Sequence, residues 1–466
     1  MESNIEELAD FRFRKDSLPQ FLGGWEDVSK GATSLLKKLR EEAKEGRFSV
    51  ALQTGDPQIF CAVFSALVSS ETDLFLFNPS WSQSENEIAR KIALPQWVIS
   101  NRSDGTIEVI TEKFDKKGGD DLEIGFRMMI PTGGTSGKVR FAIHSDATLL
   151  ASVRAFQDFF GVDRICTHCV LPLYHVSGLM QLVRVMVSRG EIVFGSISNF
   201  RESYTSLSAE SKSGCFVSLV PTQLHRLLKS ESGIDSLRNY RAIFVGGGAI
   251  SNDLLELSRS HKLHLSPTYG MTETASMVAT LMPDAFLHGK SGQGFPLPHA
   301  QLEITPLNHR VESRPEVGRI LIKSDSLFLG YYNENEKTGE RYLTNDLGTM
   351  GPSGELFVHG RLDRVIISGG ENICLNEVEK AFWESDLLQD VVAFGIEDPE
   401  WGSRLCVAYV PKEKELGEEE ILDRLARHLP KVKLPKSWLR LSSLPRNNAG
   451  KVLLDSLVKR LRKVNG

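Results

Sequence analysis

Residues Thr132, Gly133, Gly134, Thr135, Ser136, Gly137 and Lys138 form a run of small and hydroxyl-bearing residues ending in a cation. It follows an apolar stretch, Phe-Arg-Met-Met-Ile at 126–130, that reads as a strand. Small side chains let backbone N–H groups approach phosphate oxygens closely, and the hydroxyls, Lys138 and Arg140 add donors and positive charge. The run is not a Walker A loop, because Val139 rather than Ser or Thr follows Lys138. Taken alone it reads equally well as a surface turn.

Four further stretches carry chemistry-capable residues. In 265–278, Thr272 and Glu273 follow a Tyr-Gly turn, and a hydroxyl beside a carboxylate suits Mg²⁺ held against a phosphate. Asp346 stands in Arg-Tyr-Leu-Thr-Asn-Asp-Leu-Gly, read as a strand end before a glycine turn, where a carboxylate can hold paired ribose hydroxyls. For both acids the ordinary alternative is a capping or turn role. Residues 360–379 read either as a linker with a glycine turn or as part of a site. Lys451 follows a glycine near the end of the chain, where a lysine is ordinarily a solvated surface residue.

The elements that must position these residues alternate. Residues 35–44 read as an amphipathic helix, 48–55 as a buried strand, and the apolar run after Gly55 as a core helix. Strands are expected at 166–173, 215–221 and 240–248, with a helix after Pro221. Alternation of this kind implies a parallel, wound sheet. Further on, the runs at 317–324 and 354–360 look antiparallel, with glycine turns between them. Residues 360–366 mark a domain boundary. Beyond it come a helix, two strands and a helix with an apolar stripe at Ile421, Leu422, Leu425, Ala426 and Leu429. The expected fold is α/β: a large N-terminal domain (1–361) of wound mixed sheets with helices plus a small β-region, and a small α+β C-terminal domain (362–466).

Composition narrows the function classes. The chain has 466 residues, enough for two or three subdomains, and a formal net charge of -5, which argues against a nucleic-acid partner. The acidic N-terminus lacks a signal-peptide pattern, and no apolar run is long enough for a transmembrane segment, so a cytoplasmic protein is expected. Six cysteines are scattered, and only Cys166 and Cys169 form a C-x-x-C. They lie in an apolar strand-like run with no second ligand pair at zinc spacing, and read as buried strand cysteines, with His168 between them packed or facing solvent.

Together and in this order, Pro-Thr-Gly-Gly-Thr-Ser-Gly-Lys-Val-Arg, Tyr-Gly-Met-Thr-Glu-Thr-Ala, Thr-Asn-Asp-Leu-Gly, 360–379 and the terminal Gly-Lys resemble the motifs of the adenylate-forming superfamily. That superfamily comprises acyl-CoA synthetases, adenylation domains of peptide synthetases and firefly-type luciferases, and the resemblance runs from about residue 30 to 460. It implies an AMP-forming acid–thiol ligase using ATP, Mg²⁺ and CoA. Residues 132–138 would wrap the β- and γ-phosphates, Thr272 would contact the α-phosphate, and Glu273 would hold the metal. Tyr269 would stack on adenine, the Gly246, Gly247 and Gly248 turn would pass beside adenine and the acyl group, and Asp346 and Arg361 would take the ribose. Lys451 would bridge the reacting carboxylate and the α-phosphate. Asp363 would be the hinge about which a mobile C-terminal domain turns, and Ser368, Gly369 and Gly370 would line the thiol tunnel. The loop departs from the family's usual Pro-Lys-Gly ending. Val139, Arg140 and Phe141 stand there, Arg140 keeping the charge, and Gly133 removes one hydroxyl donor.

Residues 171–190 and 218–228 resemble the o-succinylbenzoate–CoA ligase branch, which serves menaquinone and phylloquinone biosynthesis. His175, after Tyr174, matches the family's gate between the nucleotide and acyl sites. Arg184 matches a substrate-contacting arginine of that branch, and Ser276 and Thr274 could add donors; the ordinary alternative for Arg184 is a surface or helix-end arginine. Rival readings are a ligase for another aryl or acyl carboxylic acid, a module that loads a carrier protein, and a non-catalytic binding protein of the same fold. A homodimer is left open.

Overall fold

The computed structural model describes the chain apart from residues 1–32, 36, 40, 42–46, 69, 103–106, 113–124, 134–138, 208–211, 213, 308–316, 335–337, 370, 414–415, 427–428, 447–451 and 465–466. The described residues divide between two compact units. One comprises Met1–Gly248, Ser258–Leu302 and Ile322–Tyr342; the other comprises Ala249–Leu257, Glu303–Leu321 and Leu343–Gly466.

The first unit holds two mixed sheets. One is built from β1 (Phe48–Gln53), β2 (Thr72–Leu76), β3 (Trp97–Asn101), β4 (Ile107–Thr111), β5 (Arg127–Gly133) and β6 (Val139–Ser145), in the order β4-β3-β1-β2-β5-β6. Its centre is parallel, and β5 and β6 pair antiparallel with Thr132 opposite Arg140. The other is built from β7 (Cys166–Cys169), β8 (Glu191–Phe194), β9 (Cys215–Leu219), β10 (Ala242–Val245), β11 (Leu265–Met271), β12 (Ser276–Thr280) and β13 (Phe295–Pro296), in the order β13-β12-β11-β10-β9-β7-β8.

Two helices set the core between these sheets. Helix Pro57–Leu67 starts where Asp56 accepts from the N–H groups of Gln58 and Ile59, with proline as its first residue. Helix Asp146–Phe160 starts in a capping box of Ser145 and Thr148 and stops at Gly161, whose φ of 58° is left-handed. Phe156 on this helix meets Phe216 of β9 and Phe244 of β10 edge-on at 5.2 and 5.6 Å. The apolar cluster around it joins residues of both sheets.

A four-stranded sheet follows, in the order β14 (Ala300–Pro306), β15 (Gly318–Ser324), β16 (Arg341–Met350), β17 (Leu356–Arg361). The last sheet belongs to the second unit. It comprises β18 (Val365–Ser368), β19 (Glu371–Cys374), β20 (Leu388–Asp398), β21 (Gly402–Pro411) and β22 (Ser437–Arg440), with β19-β18-β21-β20 in order and β22 parallel to β21. Helices Leu375–Glu384 and Glu418–Leu425 close a core of Val378, Phe382, Val407, Tyr409, Ile421 and Leu425 on it.

Several local expectations are corrected. The strand at Cys166 stops at Cys169, well short of residue 173, because Pro172 carries no N–H for a ladder. Both cysteines are buried, and His168 is packed, bonded to the Tyr240 hydroxyl at 2.7 Å and the Ser203 hydroxyl at 2.9 Å. Tyr269 and Gly270 are not a turn but part of β11, where a bulge against β12 absorbs the glycine. Between the two expected antiparallel runs lies a full strand, β16, with Asp346 in its middle rather than at its end. In the stripe on helix Glu418–Leu425, Ile421, Leu425 and Leu429 are buried, but Ala426 is exposed. The helix expected over 35–44 lies partly outside the described residues, although Leu39 is buried. Among the described residues no helix is long and apolar enough to cross a membrane.

Candidate active site

In the first unit the chain leaves β11 into a single helical turn, Thr272–Thr274, and returns along β12. This turn is held from several directions. The buried His144 of β6 points Nε2 at the Thr272 carbonyl at 2.8 Å, and its Nδ1 meets the Thr148 hydroxyl at 3.0 Å. A carbonyl only accepts, so Nε2 carries the proton. Burial pushes the His144 pKa down to about 4, partly offset by the bond to Thr272, so the ring is neutral near pH 7. The Glu273 carbonyl accepts from the Phe328 N–H at 2.8 Å, and its carboxylate accepts from the Tyr331 hydroxyl at 2.5 Å. The Ser326 hydroxyl donates to the Thr274 carbonyl at 2.9 Å, and that of Ser152 to the Ala275 carbonyl at 2.8 Å. These bonds hold two successive non-glycine residues at positive φ, Ala275 at 47° and Ser276 at 91°. Such conformations cost of order 1–3 kcal/mol each and persist where neighbours over-determine them.

Strained in this way, Ser276 places its hydroxyl 3.3 Å from Nη2 of Arg184. Arg184 lies in the helix Val176–Ser188 and is only 3% exposed, so it is not a surface residue. Its guanidinium sits 4.4 Å over the Phe156 ring, its Nε has no hydrogen-bond partner, and burial lowers its pKa to about 9. It lines a small cavity of about 10 Å³ with Thr167, Gln181, Phe216, Ser218 and Phe244. A desolvated cation without a carboxylate beside it is costly unless a ligand supplies the anion. His299 was not foreseen from the sequence: both its ring nitrogens are buried without partners. Burial pushes its pKa down to about 4, with Asp325 opposing the drop and Arg184 adding to it.

The other first-unit candidates are placed as follows. His175 is the residue before the Arg184 helix, its ring 4.8 Å from that of Tyr174, and burial lowers its pKa below the usual histidine value. Gly246, Gly247 and Gly248 follow β10. A Cβ on Gly246 would lie 2.4 Å from the Thr268 hydroxyl, and Gly247 has a φ of 74°, so neither position readily takes a side chain. Tyr269 is 7% exposed and pairs with Ala279 of β12. Thr132 and Gly133 end β5, while Gly134, Thr135, Ser136, Gly137 and Lys138 lie outside the described residues. Arg140, expected to keep the loop's charge for phosphate, makes a two-pronged salt bridge to Glu334 and lies 3.4 Å over the Tyr331 ring.

In the second unit, Asp346 and Arg361 face each other across β16 and β17, with Nη1 of Arg361 3.3 Å from the Asp346 carboxylate. The rest of the same guanidinium grips Asp363 at 2.9 and 3.0 Å. Ser368 is fully buried in β18, and Gly369 has a φ of 61°, its N–H donating to the Trp401 carbonyl at 2.9 Å. Gly370 and Lys451 lie outside the described residues.

Among the described residues no group of three or more His, Cys, Asp or Glu side chains gathers to cage a metal. A single carboxylate, Glu273, fits Mg²⁺, which commonly binds one or two carboxylates and takes its other ligands from substrate phosphates and water.

Two sequence models match the chain: that of the AMP-binding enzymes over residues 111–332, and that of the AMP-binding enzyme C-terminal domain over 377–451. The chain belongs to the AMP-binding enzymes. Among its curated relatives is the 2-succinylbenzoate–CoA ligase of Enterococcus faecalis, 32% identical over 71% of this chain and 69% of the relative. The 2-succinylbenzoate–CoA ligase of Listeria monocytogenes is 30% identical over the same shares. Among solved structures, o-succinylbenzoate CoA synthetase from Bacillus subtilis in complex with its acyl-adenylate intermediate shares the fold. Its TM-score is 0.77 and its identity 24%, over 93% of this chain and 92% of that one. ATP-bound MatB from Rhodopseudomonas palustris has a TM-score of 0.78 at 21% identity, over 94% and 93%.

Proposed function

We propose that this chain is an ATP-dependent ligase that activates o-succinylbenzoate as its acyl-AMP and transfers the acyl group to CoA, a step of menaquinone or phylloquinone biosynthesis. The observation that carries the choice of acid is Arg184: a buried cation with an unbonded Nε, tied through Ser276 to the turn that bears Thr272 and Glu273. o-Succinylbenzoate has two carboxylates. One must react, and the other must be held away from water, which a buried guanidinium does. The relatives at 30–32% identity support the same acid.

In the first step a succinyl carboxylate oxygen attacks the α-phosphorus of ATP, and the bond to pyrophosphate breaks. Two anions approach each other, so cations and aligned donors must offset the charge. Lys451 would lie between carboxylate and α-phosphate, Thr272 would contact the α-phosphate, and residues 132–138 would hold the leaving pyrophosphate. Bound Mg²⁺, held at Glu273, would neutralise phosphate charge. Tyr269 would lie against adenine, Asp346 and Arg361 would take the ribose, and the Gly246–Gly248 backbone would leave room for adenine and acyl group. In the second step the CoA thiol loses its proton and attacks the acyl carbonyl, and AMP leaves. Residues 362–466 would act as a lid that turns at Asp363, withdrawing Lys451 and bringing Ser368, Gly369 and Gly370 to the thiol path. His175 would gate the nucleotide and acyl sites.

Pyrophosphate release with ATP, Mg²⁺ and CoA over o-succinylbenzoate, benzoate, 4-phenylbutyrate and octanoate tests this. A strong preference for o-succinylbenzoate is expected. Preference for a monocarboxylate would keep the ligase chemistry and reject the acid.

A further inference from the structure

We propose that Tyr331 is a positioning residue that aims the Glu273 carboxylate at the metal, and that Arg140 acts on Tyr331 rather than on phosphate. This rests on the reading of Glu273 as the Mg²⁺ carboxylate.

The Tyr331 hydroxyl donates to Oε1 of Glu273 at 2.5 Å, and the Tyr342 hydroxyl lies 3.3 Å behind it. A carboxylate fixed through one oxygen turns its other oxygen to a defined direction, the arrangement by which outer partners orient metal ligands. A phenol is ordinarily protonated near pH 7, so this hydroxyl is the donor and the carboxylate the acceptor. The ring is itself immobilised. Phe328 meets it edge-on at 4.8 Å, and its backbone bridges to Ala142 of β6.

Arg140 lies over this ring, 3.4 Å from its centroid. Its guanidinium plane is pinned by both oxygens of Glu334, which also raise its pKa. A guanidinium already paired with a carboxylate carries little net charge to offer a phosphate. What it can offer is a rigid stack that fixes the phenol. The cation at this position of the loop is therefore spent on geometry.

The test uses α,β-methylene-ATP, which cannot be cleaved at the reacting bond, with binding measured by calorimetry in EDTA and in Mg²⁺. The ratio of the two affinities measures how well the metal is held, independently of turnover. Tyr331→Phe keeps the ring and its packing and should lose about tenfold of the metal-dependent gain, with EDTA affinity unchanged. Arg140→Gln should lose part of the same gain, and nothing further when introduced into the Tyr331→Phe protein. If Arg140→Gln instead weakens binding in EDTA, Arg140 contacts phosphate and its assignment falls. Glu273→Gln separates the two levels of the argument. Retention of the metal gain in Glu273→Gln would overturn the carboxylate reading itself. Loss in Glu273→Gln with full retention in Tyr331→Phe would overturn only the role of Tyr331.

Discussion

Replacing Arg184 by methionine should leave the protein at least as stable and much poorer with its dicarboxylate substrate. The charged form of Arg184 is penalised by burial: its pKa falls from 12.5 to about 9, which corresponds to roughly 5 kcal/mol. The stack on Phe156 and the bond to Ser276 return part of this. Methionine keeps the contact with Phe156 and removes the charge, and swaps of this kind are neutral or stabilising by about 1–4 kcal/mol. The unliganded protein should therefore melt no lower than wild type and up to about 4 °C higher. Catalysis should move the other way. Losing one partner of a buried charge pair costs about 2–5 kcal/mol, so kcat/KM for o-succinylbenzoate should fall by about thirtyfold to several thousandfold. The control is 3-benzoylpropionate, which is o-succinylbenzoate without its ring carboxylate. The wild type should strongly prefer the dicarboxylate, and Arg184→Met should use both acids about equally. A variant that melts lower and still discriminates would refute the reasoning, because Arg184 would then be a structural cation already balanced by the fold.

Lys451→Ala should abolish ATP–pyrophosphate exchange while leaving thioester formation from preformed acyl-AMP within a few-fold of wild type; surviving exchange would remove Lys451 from the first step. The protein should lose stability as pH falls from about 6.5 to 4. Burial holds the His168 pKa at about 4, so the unfolded chain takes up a proton there that the folded chain refuses, and stability rises with pH across that window. Urea unfolding of wild type and His168→Gln at pH 7 and pH 5 should show a smaller pH effect in the variant; equal effects would mean the ring titrates normally.

Much of the frame could be read from the sequence because it depends on local pattern. The helix after Gly55, the strands at 48–53 and 215–219, and the small second-unit core all follow apolar periodicity. Asp346 was misplaced for a physical reason: Gly348 suggests a turn, yet here it absorbs a register shift while β16 runs on. The burial of Arg184 did leave a signal. Its sequence neighbours Leu182, Val183, Val185 and Met186 are apolar, but its neighbours on the same helix face include the polar Gln181 and Ser188, so the signal lies in the apolar run as a whole and not in the face. The partners of Thr272 and Glu273 left none. His144 is 128 residues away and Tyr331 is 58, and nothing in either local stretch reports what it will meet.

Strand β6 works as a ruler. Arg140, Ala142 and His144 lie on one face of it, while Phe141 and Ile143 of the other face pack in a separate apolar cluster. The near end of that first face reaches Glu273 through Tyr331 and its far end holds Thr272, while the strand backbone at Ala142 between them bridges to Tyr331. Adjacent residues of one turn are thus gauged from two points about 13 Å apart along a single strand. The design tolerates changes of residue far better than changes of count. A single-residue insertion between 140 and 144 would turn one gripping residue toward the apolar side and release one of the two neighbours. Between 134 and 138, the same insertion leaves the spacing of the grip unaltered. Length should therefore be fixed within the strand, where every added residue reverses the face of those beyond it.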